Sequence, residues 1–360
     1  MKSILVTGSA GFIASHLIEE LLKDENNYII GIDNFYSGTK ENLEFIKSID
    51  KKNKFQFIEA DIRNFEEINK IIRDKKIEYI YHLAAIVSVQ ESIQNPLLSN
   101  EVNVKGTLNI LESAKLNSVK RVVFSSSAAV YGDEPTQPKN EISQTKPISP
   151  YGYEKLIGEQ YMKLYSELYG LETVILRYFN VYGERQSATS DYSGVISIFE
   201  KKFKNDELPN IYGDGEQYRD FVYVKDIAKA NIKAMNTPNV SGEVFCVGTS
   251  KKVSINNLVS VLNNKYSKNI KANYLEARNG DIKESICDNK KIQKYLEINE
   301  FMECEDESYF VNSLQVELDN LHETQKNSQK IYKKLPCEKS ACSISYALKY
   351  LYQHQMDILN

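Results

Sequence analysis

Two tyrosines precede one lysine in the segment SPYGYEK, Ser149 to Lys155. Residues four apart share one face of a helix, so Tyr151 lies beside Lys155 whereas Tyr153 points elsewhere. A tyrosine normally keeps its proton up to pH ~10, and a nearby ammonium group favours the ionised form. Lowering that pKa to ~7 takes roughly 4 kcal/mol of differential stabilisation. The spacing therefore predicts that Tyr151 is a base and that Lys155 assists it.

A glycine-rich turn near the N-terminus predicts a dinucleotide site. In TGSAGFIASHL, Gly8, Gly11 and Ala14 are three apart, directly after a β-rich run and at the start of a helical pattern. Glycines allow the tight turn, and the first N–H groups of a helix can bind a pyrophosphate. Ala14 stands where a third glycine is commoner, but alanine still permits close packing of the helix.

Two carboxylates follow predicted strands and specify the dinucleotide further. Asp33 ends the second strand, where an acidic side chain accepts the ribose hydroxyls of NAD. A carboxylate there repels the additional phosphate of NADP, so the sequence favours NAD. Asp61 closes the third strand, directly before Ile62, and is a candidate adenine contact. The cationic nicotinamide ring of bound NAD would add to the effect of Lys155 on Tyr151.

The elements that position these residues alternate between short β-rich runs and longer helical patterns. This alternation predicts an α/β protein, a Rossmann-like doubly wound parallel sheet with a smaller C-terminal substrate lobe. A helix with recurring apolar residues follows the first strand, and another begins at Pro96. The predicted strands are SILVT (3–7), YIIGI (28–32), FQFIEA (55–60), YIYHL (79–83), RVVFS (121–125) and TVILR (173–177).

The alternation breaks beyond Asn180 into loops that contain glycines, and this change predicts the domain organisation. Residues 1–179 form the predicted NAD-binding domain, and a helix and strand at 221–248 return to it. Residues 180–298, less this return, form the predicted smaller lobe that binds the substrate. Residues 299–360 are an atypical helical extension, which either packs on the second lobe or binds a partner.

Charge, hydrophobicity and cysteine spacing exclude several classes of partner. The 360-residue chain has a formal net charge of −4, which gives no attraction to nucleic acid or an anionic membrane surface. No apolar run approaches the ~20 residues of a membrane span. The 5 cysteines show neither an even framework nor a C-x-x-C pair, which favours free thiols and a cytoplasmic protein. Neither cysteines nor histidines have the spacing of a metal site.

Several segments together resemble the extended short-chain dehydrogenase/reductases and, within them, the nucleotide-sugar 4-epimerases. The stretches RYFNVYGERQ and SVQESI are most similar to the UDP-N-acetylglucosamine 4-epimerase branch. The resemblance runs from the N-terminus to about Asp288, in the order TGSAGFIASHL, DNFYSGTKENL, HLAA, NVKGT, FSSSAAVYG, SPYGYEK, RYFNVYGERQ, YGDGEQYRDFVYVKDIA and ARNGDIKESICD.

The resemblance implies a serine at the end of the fifth strand that completes the catalytic set. In FSSSAAVYG, the register before VYG assigns this role to Ser127. Tyr151 is expected to take the proton of the sugar 4-hydroxyl while the C4 hydride passes to NAD, and Ser127 to bind the same oxygen. Lys155 holds the cofactor ribose. The 4-keto sugar then turns over and takes the hydride back on its other face, so NAD stays bound.

The resemblance also implies a set of cofactor-binding residues. Tyr178 would lie near the nicotinamide, unless Tyr178 and Phe179 are simply core residues. The full predicted set is Gly8, Gly11, Phe12, Ile13, Asp33, Asn34, Ser37, Gly38, Asp61, Ile62, Leu83, Ala84, Ala85, Tyr151, Lys155 and Tyr178.

The substrate-binding residues implied by the resemblance lie mostly in the second lobe. Asn180, Arg219 and Arg278 would contact the diphosphate, since an arginine fork matches phosphate oxygens. Asp281 would bind a ribose hydroxyl or orient Arg278, unless the two form a surface ion pair. Ser88 is a candidate sugar contact, or an ordinary loop serine. The full set is Ser88, Ser127, Tyr151, Asn180, Arg219, Arg278, Asp281 and Ser285.

Two further comparisons with family patterns narrow the reaction and the sugar. Related dehydratases and decarboxylases carry acidic residues where this chain has Ala128 and Ala129, which leaves epimerisation. Family members restricted to glucose and galactose carry a bulky tyrosine at the position of Ser285. A small residue there predicts a 4-epimerase of UDP-N-acetylglucosamine and UDP-N-acetylgalactosamine, and we expect the protein to be a homodimer. UDP-glucose/galactose or UDP-uronates are the alternative substrates, and a non-catalytic dinucleotide-binding protein is the alternative class.

Overall fold

The strands belong mainly to one large sheet. The computed structural model describes residues 1–186, 194–277 and 283–302. In this part of the chain the strands are β1 (Lys2–Thr7), β2 (Asn27–Asp33), β3 (Phe55–Glu59), β4 (Tyr79–His82), β5 (Arg121–Ser127), β6 (Glu172–Tyr178), β7 (Asn180–Tyr182), β8 (Asn210–Tyr212), β9 (Tyr218–Arg219), β10 (Phe221–Tyr223), β11 (Glu243–Val247), β12 (Val253–Ser254), β13 (Asn273–Leu275) and β14 (Glu284–Ser285).

Helices connect these strands, and the longest of them has clear start and stop residues. The Ser149 side chain accepts a hydrogen bond from the N–H of Gly152, Pro150 follows at the first helical position, and Gly170 ends the helix at a φ of 67°. The described helices are α1 (Phe12–Leu21), α2 (Lys40–Ile49), α3 (Phe65–Asp74), α4 (Val89–Gln94), α5 (Pro96–Asn100), a π-helical turn (Glu101–Lys105), α6 (Gly106–Leu116), a 3-10 turn (Ala128–Val130), α7 (Pro150–Tyr169), α8 (Val195–Lys204), α9 (Val224–Asn236), α10 (Ile255–Tyr266) and α11 (Lys290–Leu296).

The large sheet has seven parallel strands in the order β11-β6-β5-β4-β1-β2-β3. All six strands predicted from the sequence are among them, with ends that differ by one or two residues. The prediction of a doubly wound parallel sheet is therefore confirmed. Because the strands are parallel, their carboxyl ends lie at one edge, and the loops that follow them meet there.

Each face of the sheet is covered by its own apolar core. In β1, Leu5 belongs to one core, whereas Ile4 and Val6 belong to the other, because successive side chains of a strand point to opposite faces. Residues Leu17 of α1 and Ile227 of α9 pack on the side of Ile4. Burial on both faces explains why β1 appears in the sequence as a continuous apolar run.

The chain leaves the large sheet after β6 and returns to it through α9 and β11. Strand β11 pairs with β6 from Glu243–Val174 to Val247–Tyr178, at the edge of the sheet. Between and after these elements lie three smaller sheets, β7 with β10, β8 with β13, and β9 between β12 and β14. Most of these strands lie in residues 180–298, which the sequence analysis predicts to form a smaller lobe.

The end of the described chain packs on the large sheet's core. Phe301 contacts the core that contains Ile4, and the N–H of Met302 donates to the Asp226 carboxylate at 2.7 Å. The helical extension predicted for 299–360 lies outside the described residues from 303 onward. Within the described ranges, no helix has both the length and the apolar character needed to cross a bilayer.

Candidate active site

The glycine-rich loop between β1 and α1 lies at the carboxyl edge of the large sheet. Gly8 has a φ of +70°, and a Cβ added there would lie 2.9 Å from the backbone of Ala84, so no other residue fits. Helix α1 begins with Gly11 as its N-cap, with no side-chain cap and no acidic residue in its first turn. The first N–H groups of α1 are therefore available to an anion such as a pyrophosphate.

Asp33 lies beside this loop at the end of β2. Its two carboxylate oxygens accept hydrogen bonds from the N–H of Ala10 at 3.0 Å and of Phe35 at 2.7 Å. Burial raises the pKa of Asp33, and these two hydrogen bonds oppose the rise. Gly38 passes so close that a Cβ there would lie 2.8 Å from the Asp33 oxygens. The fold thus holds this carboxylate in a single position at the rim of the cleft.

Asp61 has a partner that the sequence analysis did not identify. The Arg63 guanidinium donates to its carboxylate at 2.7 Å from Nη2, and Asn34 Nδ2 donates to it at 2.9 Å. The hydrogen bond from Arg63 is the main cause that lowers the pKa of Asp61 to about 2. Asp61 is therefore ionised, and part of its capacity to accept hydrogen bonds is already used. Arg63 follows Asp61 by two residues in the sequence, and this short spacing is the signal from which their pairing could have been predicted.

The start of the loop after β4 is attached to β1 by a buried threonine. The hydroxyl of Thr7 accepts hydrogen bonds from the N–H groups of Leu83 at 3.1 Å and Ala84 at 3.0 Å, and pairs with His82 Nδ1 at 2.8 Å. Burial lowers the pKa of His82 to about 3, so the imidazole stays neutral. Neither Thr7 nor His82 was predicted, although both lie inside the quoted motifs TGSAGFIASHL and HLAA.

The structure brings Ser127, Tyr151 and Lys155 together. Ser127 ends β5, and Tyr151 and Lys155 lie in the first two turns of α7. The Ser127 side chain lies near enough to the Tyr151 hydroxyl to lower the pKa of Tyr151 by hydrogen bonding. Tyr151 is 8% exposed and Lys155 4%, whereas Tyr153 is 55% exposed. Tyr151 and Lys155 thus share the buried face of α7, and Tyr153 lies on the exposed face.

The neighbouring serines of β5 are bonded elsewhere. The Ser126 hydroxyl donates to Glu159 at 2.5 Å, and the Ser125 hydroxyl pairs with the Tyr178 hydroxyl at 3.0 Å. Of the three serines, Ser127 is the one whose side chain acts on the pKa of Tyr151, and its Oγ also accepts a hydrogen bond from the N–H of Ala129 at 3.1 Å. This geometry favours the same serine as the sequence register.

Burial dominates the ionisation of the tyrosine and the lysine. It raises the pKa of Tyr151 to about 12, against the hydrogen bond from Ser127, which lowers it. Burial also lowers the pKa of Lys155 to about 8, although the negative charges of Glu154 and Glu159 act to raise it. Lys155 Nζ donates to the carbonyl of Ser125 at 2.8 Å and lies 5.9 Å from the centre of the Tyr151 ring. At neutral pH the protein alone therefore keeps Tyr151 protonated, and ionisation requires a further positive charge.

A buried carboxylate beside the lysine was missed by the sequence analysis. Glu154 is 3% exposed and accepts hydrogen bonds from Ser99 Oγ at 2.6 Å and Asn103 Nδ2 at 2.7 Å. Asn103 also bonds to both the N–H and the carbonyl of Ile86, at 2.8 and 2.9 Å. Glu154 therefore helps to fix the loop after β4 against α7.

A second buried acidic residue, Glu159, holds the end of β5. It is fully buried and pairs with Arg177 at 2.6 Å, in addition to the hydrogen bond from Ser126. Arg177 in turn donates to the hydroxyl of Tyr131 at 2.9 Å. This chain of polar contacts links α7, β5 and β6 directly behind Ser127, so it restrains the backbone that presents the serine.

A large cleft joins the glycine-rich loop to these side chains. Its volume of about 360 Å³ is within the ~300–1,000 Å³ usual for a ligand site. An adjoining cavity of about 80 Å³ is lined in part by Asn34, Asp61 and Ile62. The predicted residues that line the large cleft are Gly8, Gly11, Phe12, Ile13, Asp33, Ser37, Leu83, Ala84, Ala85, Ser88, Ser127, Tyr151, Lys155 and Tyr178.

The predicted substrate residues are more scattered. Ser88 lines the large cleft, but its hydroxyl accepts a hydrogen bond from the N–H of Glu91 at 3.0 Å and caps α4. Asn180 Nδ2 donates to the carbonyl of Asp220 at 3.1 Å. Arg219 and Ser285 pair in register between β9 and β14, and neither is among the described residues that line the cleft. Arg278 and Asp281 lie outside the described residues.

The residues present fit NAD. The open helix start, the tight glycine turn and the acidic end of β2 line one cleft, which also contains the Tyr151–Lys155 pair. When bound, NAD supplies a hydride acceptor that can return the hydride. Among the described residues, no group of three or more histidine, cysteine or acidic side chains could hold a metal ion.

Comparisons with known proteins agree with this geometry. The UDP-N-acetylglucosamine 4-epimerase from Methanobrevibacter ruminantium M1, in complex with UDP-N-acetylmuramic acid, superposes with a TM-score of 0.81 at 38% identity, covering 89% of this chain and 99% of that one. The UDP-glucuronic acid 4-epimerase from Bacillus cereus, in complex with UDP-glucuronic acid and NAD, superposes with a TM-score of 0.79 at 33% identity, covering 87% and 99%. The UDP-glucose 4-epimerase of Mycolicibacterium smegmatis is 36% identical over 293 residues, 81% of this chain and 91% of that protein.

The match to a family model spans nearly all of the large sheet. The family model described as "NAD dependent epimerase/dehydratase family" matches residues 4–248, which include the glycine-rich loop, the serine at the end of β5 and the Tyr151–Lys155 pair. These comparisons confirm two predictions, namely that the protein is an NAD-dependent isomerase and that it belongs to an epimerase family. The chain belongs to the NAD-dependent epimerase/dehydratase family.

Proposed function

We propose that the protein is a 4-epimerase that interconverts UDP-N-acetylglucosamine and UDP-N-acetylgalactosamine. The observation that carries the reaction is the buried cluster of Ser127, Tyr151 and Lys155 in the cleft that contains the dinucleotide turn. The small side chain of Ser285 supports the acetylated sugars. The similarity to the UDP-N-acetylglucosamine 4-epimerase of Methanobrevibacter ruminantium also supports them.

In this proposal each residue of the cluster has one task. Tyr151 takes the proton of the sugar 4-hydroxyl as the C4 hydrogen leaves as a hydride, and it returns a proton when C4 is reduced on its other face. Ser127 lowers the pKa of Tyr151 by hydrogen bonding and binds the same sugar oxygen. Lys155 supplies a positive charge on the buried face of α7 that favours the tyrosinate. The buried site excludes water, which would otherwise weaken these electrostatic effects.

Epimerisation is favoured over dehydration by the two residues directly after Ser127. Ala128 and Ala129 lie in the 3-10 turn after β5, and neither side chain can transfer a proton. Elimination of water from the 4-keto sugar requires an additional acid and base. Without them, return of the hydride is the available fate of the 4-keto sugar.

The charges in the cleft favour neutral sugars over uronates. Among the described residues that line the cleft, Lys155 is the only cation, and its ammonium group already donates to the Ser125 carbonyl. Glu91 lines the same cleft and would repel a carboxylate at C6. We therefore place UDP-uronates behind UDP-glucose and UDP-galactose as alternative substrates.

A panel of UDP-sugars tests the proposal. We expect the purified protein to interconvert UDP-N-acetylglucosamine and UDP-N-acetylgalactosamine with a higher kcat/KM than UDP-glucose and UDP-galactose, and to act least on UDP-glucuronate. Products are resolved by liquid chromatography after incubation of each sugar with the enzyme. A higher kcat/KM for UDP-glucuronate would overturn the sugar assignment, and absence of turnover on the whole panel would overturn the epimerase assignment.

We also propose that the protein is a cytoplasmic homodimer, with α7 in its interface. The face of α7 opposite Tyr151 exposes Ile157, Leu164 and Leu168 at 37%, 41% and 63%, and Leu97 of the adjacent α5 is 83% exposed. Such an apolar stripe on a helix needs a partner surface. The described cysteines, Cys246 and Cys287, are buried free thiols, which suits a reducing compartment.

Sedimentation velocity tests the dimer. We expect a species of about twice the 41.3 kDa chain mass for the native protein, and the double variant Leu164→Glu, Leu168→Glu to sediment as a monomer. Ile142, 93% exposed in a loop, provides the control Ile142→Glu, which should remain dimeric. A monomeric native protein, or a dimer unaffected by the double variant, would contradict this interface.

A further inference from the structure

The order of the strands places two segments on either side of the glycine-rich loop. Strand β1 lies between β4 and β2, and all three are parallel. Their following loops therefore leave the same edge of the sheet in the same order. Residues 34–39 follow β2 on one side of the loop that contains Gly8, and residues 83–88 lead from β4 into α4 on the other side.

A side-chain hydrogen bond connects these two flanks. The hydroxyl of Tyr36 donates to the carboxylate of Glu91, 55 residues further along the chain. Tyr36 belongs to the β2 flank and Glu91 to α4, so the bond must cross above the loop that follows β1. Tyr36 is 54% exposed and Glu91 is half-buried, so the bond lies towards the outer rim of the cleft. Both residues line the large cleft, and Tyr36 also lines the adjoining cavity.

The segment that carries Tyr36 is held in place by its own short contacts. The N–H of Tyr36 donates to Asn34 Oδ1 at 3.1 Å, and the N–H of Phe35 donates to Asp33 at 2.7 Å. The Phe35 ring packs against Phe57 of β3, with 5.3 Å between ring centres. The position of the Tyr36 hydroxyl is thus coupled to the carboxylate proposed to bind the ribose.

The segment that carries Glu91 is held to the catalytic helix. Ser88 caps α4 through the N–H of Glu91 at 3.0 Å, and the N–H of Tyr151 donates to Ser92 Oγ at 3.1 Å. Ser88, considered above as a sugar contact, therefore has a second task, which is to orient Glu91. The bond between Tyr36 and Glu91 joins the ribose side of the cleft to the helix that carries Tyr151.

We propose that the Tyr36–Glu91 hydrogen bond is a latch that retains the dinucleotide in the cleft between turnovers. A ligand that lies on the glycine-rich loop and reaches Tyr151 passes beneath this bond, and it can leave only after the bond opens. The proposal rests on the family's use of NAD and not on the identity of the sugar. Retention matters because the hydride is removed from the sugar and returned to it within one cycle. If the reduced cofactor were lost, the 4-keto sugar could not be reduced again.

The rate of NAD release tests the latch without any sugar substrate. The experiment compares the native protein with Tyr36→Phe, Glu91→Ala and the double variant. Each protein is loaded with labelled NAD and transferred into an excess of unlabelled NAD, and the label that stays bound is measured over time. Each single variant should release NAD roughly three- to tenfold faster, as expected for one partly exposed hydrogen bond. The combination should be no faster than the faster single variant, because both remove the same bond.

Two control variants separate the latch from general effects. Glu91→Gln keeps an acceptor for the Tyr36 hydroxyl, so its release rate should stay closer to the native value than that of Glu91→Ala. Tyr274→Phe removes another exposed tyrosine hydroxyl, which is bonded to Asn256 at 2.9 Å, and should leave release unchanged. Native release rates in either single variant, or additive effects in the combination, would overturn the proposal, whatever the protein does to UDP-sugars.

Discussion

Replacing Tyr151 by phenylalanine should lower kcat by about 10²- to 10⁴-fold, the usual contribution of a positioned general acid or base. The variant keeps the ring in its buried position on α7 and removes only the hydroxyl whose pKa Ser127 lowers. Binding of the UDP-sugar should change little, since the proposed diphosphate contacts lie in the smaller lobe. The measurement is kcat by product chromatography together with the Kd for UDP-sugar by calorimetry.

The matched control is Tyr153→Phe. Tyr153 lies two residues away on the same helix, but it is 55% exposed and points away from the cleft, so its kcat should remain close to native. If the Tyr153 variant lost activity while the Tyr151 variant kept it, the choice of base from the face of α7 would be wrong. A loss of UDP-sugar binding in Tyr151→Phe would instead assign that side chain a role in binding.

Replacing Ser285 by tyrosine should lower kcat/KM for UDP-N-acetylglucosamine far more than for UDP-glucose. Ser285 pairs in register with Arg219, the proposed diphosphate contact, and C2 of the sugar is the carbon next to the one that bears the diphosphate. A ring added there would compete with an acetamide at C2 for space. Overpacking costs ~1–3 kcal/mol, so we expect the ratio of the two kcat/KM values to change roughly ten- to a hundredfold.

Backbone geometry makes this substitution interpretable. The carbonyl of Ser285 accepts a hydrogen bond from the N–H of Asp220 at 3.0 Å, and a change of side chain leaves that bond in place. Ser285→Ala is the control, because it removes the hydroxyl without adding bulk. Its ratio of kcat/KM for the two sugars should equal that of the native protein. If the tyrosine variant also kept the native ratio, Ser285 would not be the residue that selects the sugar.

The sheet could be predicted because its strands are apolar on both faces. Runs such as residues 4–7 and 122–124 appear as uninterrupted apolar or β-branched segments, and the intervening helices have their own period. The pairing of Tyr151 with Lys155 followed from helix geometry alone. These features are local, so a single stretch of sequence is enough to recognise them.

The parts that escaped prediction depend on residues far apart in the chain. Glu154 has the sequence context of an ordinary charged helix residue, yet it is buried because Ser99 and Asn103 donate to it across 55 and 51 residues. The partner of Tyr36 is equally remote. Ser88 is a different case, because its role as the N-cap of α4 could have been predicted from the local sequence. The sequence analysis considered it only as a sugar contact or a loop serine.

The return of the chain to the large sheet has a consequence for how the protein is made. Strand β6 has β5 on one side, and β11 covers its other side only after residue 247 has been added. Until then a nascent chain that has left the ribosome carries an unpaired apolar edge, the kind of surface that chaperones bind and that drives misassembly. We therefore expect residues 1–179, the predicted NAD-binding domain, not to fold stably alone, and the sheet is complete only once the chain through residue 247 has been made.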